Sequence, residues 1–185
     1  GCQDKNVGLS SLGKNIIKRM NQLGMIVDMS HMSEKSTYDA MEHSNAPAIF
    51  SHSNPKGVLD CERNITDNQI KDCADQGGVI GVTGIGKFLA KDYNTNTATI
   101  FQHVDYLVTL VGPEYVSIGF DYMFDLNEMF ELIEKHPDLY PPEKGYSKEA
   151  LCFAAPEQLP ELSMLMTQHG YTKQDINNIM GENYW

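Results

Sequence analysis

Two histidines stand out by what precedes them. In "GMIVDMSHMSEKS" (residues 24–36) an apolar run from Met25 to Val27 ends just ahead of His31, and in "APAIFSHSNP" a run from Ala46 to Phe50 leads into His52. Each histidine follows a serine, Ser30 or Ser51. Imidazole is a preferred zinc ligand, and a hydrolytic zinc keeps one coordination position for water. Asp121 closes a further apolar run in "SIGFDY". A carboxylate there can orient an activated water and accept its proton. Asp28, just upstream of His31, can fix a ligand's tautomer through a hydrogen bond. Arg63 in "CERNI" is by default a surface side chain, although its planar fork suits a substrate carboxylate if it faces the same mouth.

Each of these residues also has an ordinary reading. A histidine after a strand is most often a hydrogen-bonded loop residue, Asp121 equally a helix cap, and Asp28 a turn former. A hydrolytic zinc takes three protein ligands, and a two-metal site also needs a bridging carboxylate. No H-E-x-x-H helix or H-x-H pair supplies them. His43, His136 and His169 read as structural, and His103 and Asp105 as stabilising residues on a helix. Met20, Met25, Met29, Met41, Met164 and Met166 read as core filler. By themselves the residues support an α/β domain with an incomplete metal site.

The elements that must position these groups follow from hydrophobic periodicity. "LSSLGKNIIKRMNQLG" places Leu9, Leu12, Ile16, Ile17, Met20 and Leu23 on one helical face, stopped by Gly24. Ser33 and Thr66 are N-caps for two more helices, and "TATIFQHVDYLVTLVG" is a long helix ending at Gly112. Between them lie short, unalternated apolar strands near residues 25–30, 47–51, 79–83 and 116–120. Such strands belong to a parallel sheet covered by helices on both faces. Residues 125–155 read as less regular, and "PEQLPELSMLMTQHG" and "TKQDINNIMGENY" close the chain as helices. Four strand–helix units make half of an eight-stranded barrel or a small open sheet, and both put function at the C-terminal strand ends. The strands are expected parallel and adjacent in chain order. Neighbouring strands lie about 4.8 Å apart. With zinc–nitrogen bonds of about 2.0–2.1 Å, His31 and His52 should bring imidazole nitrogens to on the order of 3–4 Å, with Asp121 facing the same cavity.

The 185 residues suffice for one domain, and 41% hydrophobic content is that of a globular protein. A formal charge of −11 argues against nucleic acid and reads as a solvated acidic surface. No run approaches the roughly 18 apolar residues of a membrane span. The start "GCQDKNVGLS" carries neither an initiator Met nor the regions of a signal peptide, so it reads as a trimmed or internal boundary. Cys2, Cys61, Cys73 and Cys152 are widely separated and read as thiols, which favours the cytoplasm over a periplasmic or exported location.

Together, "GLSSLGKNIIKRMNQLGMIVDMSHMSE", "PAIFSHSN", "RNITDNQI", "GGVIGVTG", "HVDYLVTLVGPEYVSIGFDY" and "GYTKQDINNIMGENY" resemble the renal (membrane) dipeptidase family of zinc peptidases. "GFDYMFD" with "PEQLPEL" is similar to its bacterial branch. The resemblance implies a (β/α)8 TIM-like barrel with two zinc ions at its C-terminal mouth, bridged by a glutamate and a hydroxide, that hydrolyses dipeptides, including ones with a C-terminal D-residue. By motif, His31 and His52 match the histidine ligands of the second zinc, Asp121 the aspartate that handles the water's proton, and Arg63 the arginine that binds the dipeptide carboxylate. The family's H-x-D motif and bridging glutamate have no counterpart here. Residues 1–185 are therefore expected to be one domain, the C-terminal part of a dipeptidase barrel (about strands five to eight). The N-terminal half, with the ligands of one zinc, is expected to lie outside this chain, leaving it inactive alone while the intact protein is an enzyme. Two other readings stay open. One is a non-enzymatic half-barrel that covers its edges with a partner chain or as a homo-oligomer, and the other is a mononuclear metal-dependent amidohydrolase.

Overall fold

Four short parallel strands carry the architecture, each followed by helical structure. The computed structural model describes residues 7–141, 146–147 and 150–184, so Cys2 lies outside the described residues. In chain order the elements are α1 (Ser11–Gln22), β1 (Val27–Asp28), α2 (Glu34–His43), β2 (Ala48–Ile49), α3 (Asp67–Asp75), β3 (Ile80–Val82), α4 (Gly86–Leu89), α5 (Thr97–Val111), β4 (Val116–Ile118), α6 (Leu126–Lys135), α7 (Leu159–Gln168) and α8 (Lys173–Met180). β1 pairs with β2 and β3 with β4, both parallel, and a parallel bridge between Phe50 and Ile80 joins the two pairs. Backbone hydrogen bonds continue the ladder beyond the strand ends: Met29 N–H donates to Ile49 O, Phe50 N–H to Val79 O and Gly119 N–H to Val82 O. The order β1-β2-β3-β4 is thus the expected one. Among the described residues no further strand covers the outer edge of β1 or of β4.

Local sequence explains the helices. Thr66 and Gln69 form a capping box at the start of α3, each side chain accepting the other's backbone N–H. Ser33 caps α2 and Asn96 caps α5 in the same manner. Ile100, Phe101, His103, Val104 and Leu107 form the buried stripe of α5, and Gly112 ends it at a φ of 96°, a conformation glycine adopts without Cβ strain. Phe50, Ile80, Val82, Val116 and Leu107 meet in the core between sheet and helices.

The structure corrects two expectations and adds two features. α1 forms where expected, and of its apolar face only Ile17 is buried, while Leu12, Ile16 and Leu23 are exposed. Met29, Met41 and Met166 are core residues, whereas Met25 and Met164 are exposed. Residues 125–155, read as irregular, contain α6, whose N-cap Asp125 accepts the amides of Asn127 and Glu128. Its apolar residues Leu126, Met129, Phe130 and Ile133 recur at helical spacing, and no residue of the helix is buried. The short helix α4 was also unforeseen. Cys73 and Cys152 are free thiols, and among the described residues no helix is long and apolar enough to cross a membrane.

Candidate active site

The C-terminal ends of β1, β2 and β4 deliver the polar residues. Past β1 the chain runs Asp28-Met29-Ser30-His31, past β2 Phe50-Ser51-His52, and past β4 Gly119-Phe120-Asp121. Because the three strands are parallel, the three loops open on one side. His31 Nε2 and His52 Nε2 face each other at 2.9 Å, with ring centroids 4.9 Å apart. Asp121 Oδ2 is 4.0 Å from His52 Nε2. The two histidines and Asp121 are therefore brought together, with the nitrogens slightly closer than the expected 3–4 Å.

Asp121 sits at φ 55°, in the left-handed region. Asp tolerates it better than most residues, and such backbone conformations cluster at functional sites. Gly119, two residues earlier, packs so tightly on β2 that a Cβ would collide with the carbonyl oxygen of Ser51. Side-chain-free contact at that point is what lets the Asp121 loop come down beside His52.

Asp28 lies below the imidazoles. Its Oδ1 accepts the amides of Ser30 at 3.0 Å and Ser51 at 3.1 Å, and its Oδ2 accepts the Ser51 hydroxyl at 2.5 Å. Burial works to raise its pKa, but these hydrogen bonds outweigh burial and hold the carboxyl below the ordinary aspartate value. Ser51 Oγ also lies 2.7 Å from His52 Nδ1, and Ser30 Oγ accepts the His52 amide at 2.9 Å.

Arg63 departs from its default surface reading. It is only 9% exposed, and its guanidinium donates from Nη1 to Ser53 Oγ and from Nη2 to the His52 carbonyl, both at 3.1 Å, above the Phe88 ring. It braces the backbone of the putting-forward loop that carries His52. Burial, the Arg63 charge and His52 lower the pKa of His31; burial and Arg63 likewise lower that of His52, against the opposing pull of Asp121 and Asp28. Both shifts favour the neutral ring, the form in which imidazole binds metal.

This donor chemistry suits two of the ligands of a zinc ion. Among the described residues no cluster of three His, Cys, Asp or Glu side chains is arranged to hold a metal.

Sequence reasoning missed Asn54 and Asn64. Asn54 exchanges hydrogen bonds with both backbone groups of Thr83, its Nδ2 also donating to Phe88 O, and Asn64 Nδ2 donates to Leu59 O and Phe88 O. They tie the His52 loop to the end of β3. Their only sequence signal was polar residues in a turn-rich stretch. His43, His169 and Asp105 are structural as expected: the two rings meet backbone carbonyls, and Asp105 accepts the Tyr171 hydroxyl at 2.8 Å.

Several known proteins resemble this chain in sequence or in fold. An uncharacterised dipeptidase of Schizosaccharomyces pombe is 36% identical over 140 residues, 73% of this chain and 34% of that protein. An amidohydrolase from Pseudomonas aeruginosa superposes with a TM-score of 0.83 at 27% identity, covering 100% of this chain and 57% of its own. A metallopeptidase from Rhodobacter sphaeroides, liganded with a phosphinate mimic of L-Ala-D-Ala, shares the fold with a TM-score of 0.72 at 24% identity over 98% of this chain and 46% of its own. The chain thus spans about half the length of the solved structures, and a third of the yeast relative. Its strands and helices are an α/β fold matching about half of a TIM barrel, and the membrane dipeptidase family (peptidase family M19) matches all of residues 1–185, so the chain belongs to that family.

Proposed function

We propose that the protein is a zinc-dependent dipeptidase to which this chain contributes the later half of the barrel, about strands five to eight. The observation that carries the reading is the pair of imidazoles meeting at 2.9 Å with a carboxylate 4.0 Å away, at the ends of parallel strands in a member of this family. The outer edges of β1 and β4, which no strand covers among the described residues, and the half-length match to relatives support the partial barrel. His31 and His52 would hold zinc through Nε2, with the remaining ligands supplied by the rest of the barrel. When bound, zinc supplies a Lewis acid and lowers the pKa of water toward 7.

The chain's own residues do the rest. Asp121 orients the attacking water, takes its proton at Oδ2 and returns it to the leaving amine. Arg63, with a permanent positive charge behind His52, attracts the carboxylate of the dipeptide. Asp28 keeps the histidine loops in register. The test is hydrolysis of simple dipeptides, including one with a C-terminal D-residue, by the full-length protein before and after chelation. Activity lost to chelator and restored by zinc is expected. Turnover indifferent to chelation, or to His31→Ala and His52→Ala, would overturn the reading.

A further inference from the structure

The serine before each histidine has a role that ligand counting leaves out. We infer that Ser51 and Asp28 form a positioning relay that keeps the ring proton of His52 on Nδ1 and so leaves Nε2 bare toward the metal. The inference rests on the reading of His52 as a zinc ligand.

The argument is one of proton inventory. Asp28 is held ionised and accepts only. Its Oδ2 lies 2.5 Å from Ser51 Oγ, so the single hydroxyl proton of Ser51 is directed there. Ser51 Oγ then has only lone pairs for its second neighbour, His52 Nδ1 at 2.7 Å, and that nitrogen must be the donor. A neutral imidazole protonated on Nδ1 is bare on Nε2. Nε2 is the atom that points at His31 and Asp121. The proton of the 2.9 Å contact therefore belongs to His31.

Ser30 completes the arrangement from the neighbouring strand end. Its Oγ accepts the His52 amide at 2.9 Å and stands 3.3 Å from Ser51 Oγ, where its own hydroxyl can fill the second lone pair. Asp28 Oδ1 pins the amides of Ser30 and Ser51 to one point. The ring is thus fixed in tautomer by a hydroxyl and in position by a backbone clamp. Partners of this kind are worth about 10- to 100-fold in metal affinity.

The experiment uses the full-length protein with isotope-labelled histidine, stripped of metal, in long-range proton–nitrogen NMR. It also uses zinc titration against a competing chelator. The wild-type protein should show His52 protonated on Nδ1. Ser51→Ala should lose that preference and weaken zinc binding by about 10- to 100-fold, while Ser51→Thr, which keeps the hydroxyl, restores both. A wild-type His52 protonated on Nε2 overturns the relay and needs no variant to fold. So does unchanged zinc affinity in Ser51→Ala when His52→Ala abolishes binding. Should His52→Ala itself leave zinc affinity unchanged, the ligand assignment falls, and the relay's role with it.

Discussion

Replacing Arg63 by alanine tests whether this side chain is only a substrate anchor or also a brace for the metal-facing loop. The guanidinium is 9% exposed and makes two charge-assisted hydrogen bonds of 3.1 Å, to Ser53 Oγ and the His52 carbonyl. Ser53 is fully buried. Hydrogen bonds to charged groups contribute about 1.5–3 kcal/mol each, and a buried acceptor left without its donor bears its own desolvation cost. Two such bonds, discounted for the strain the loop can relax, give an expected loss of about 2–4 kcal/mol in unfolding free energy. Arg63→Lys keeps the charge but cannot span both acceptors and should recover only part of it. Chemical denaturation of the full-length protein measures the loss, and a double-mutant cycle with Ser53→Ala isolates the direct pair. Because the bond to His52 O is lost, zinc affinity should fall along with the rise in the Michaelis constant that a lost carboxylate anchor produces. Stability within about 0.5 kcal/mol of wild type, with zinc affinity unchanged and only the Michaelis constant raised, would refute the brace.

Three further outcomes follow from the same geometry. Asp121→Asn should lower turnover by about 10²- to 10⁴-fold, the range of general acid–base contributions, while zinc content by elemental analysis stays that of the wild type. His103 is fully buried on α5 with Nε2 2.9 Å from Leu89 O, and burial depresses its pKa to about 4. The unfolded chain, titrating at about 6.5, therefore binds more protons between those values. Stability is full above pH 6.5 and falls as pH drops, by about 2 kcal/mol at pH 5. Urea denaturation should show this loss reduced by about that amount in His103→Gln, and an equal pH dependence in both proteins would be inconsistent with a neutral buried ring. Residues 1–185 expressed alone, with zinc added, are expected to hydrolyse no dipeptide and to unfold readily or self-associate, since among the described residues no strand covers the outer edge of β1 or of β4. Turnover by this piece at the rate of the full-length protein would contradict the half-site reading.

The elements and their order were legible in the sequence because the signals are local. Ser33, Thr66 and Gly112 punctuate helices through side-chain caps or backbone freedom that act within a few residues. The buried strands announced themselves as apolar runs, and parallel order follows from right-handed strand–helix–strand connections. That His31, His52 and Asp121 share one mouth was therefore readable from their places at strand ends. The surroundings of those residues were not. Whether Arg63 lies on the surface or beneath His52 depends on how the loop between β2 and α3 folds over Phe88, a contact between residues distant in sequence. The helical apolar spacing of α6 was present in the sequence and was passed over for the turn-rich stretch that follows it, and the exposed face of α1 was not legible because amphipathicity says that a face is apolar, not what lies against it. The link from Asp28 through Ser51 to His52 joins two strand ends, and only the parallel register of β1 and β2 brings that carboxylate under that hydroxyl. Residue types and local spacing settle which groups can do chemistry and which end of the sheet they reach; hydrogen-bond partners, burial and tautomer depend on distances between segments, which the tertiary structure alone decides.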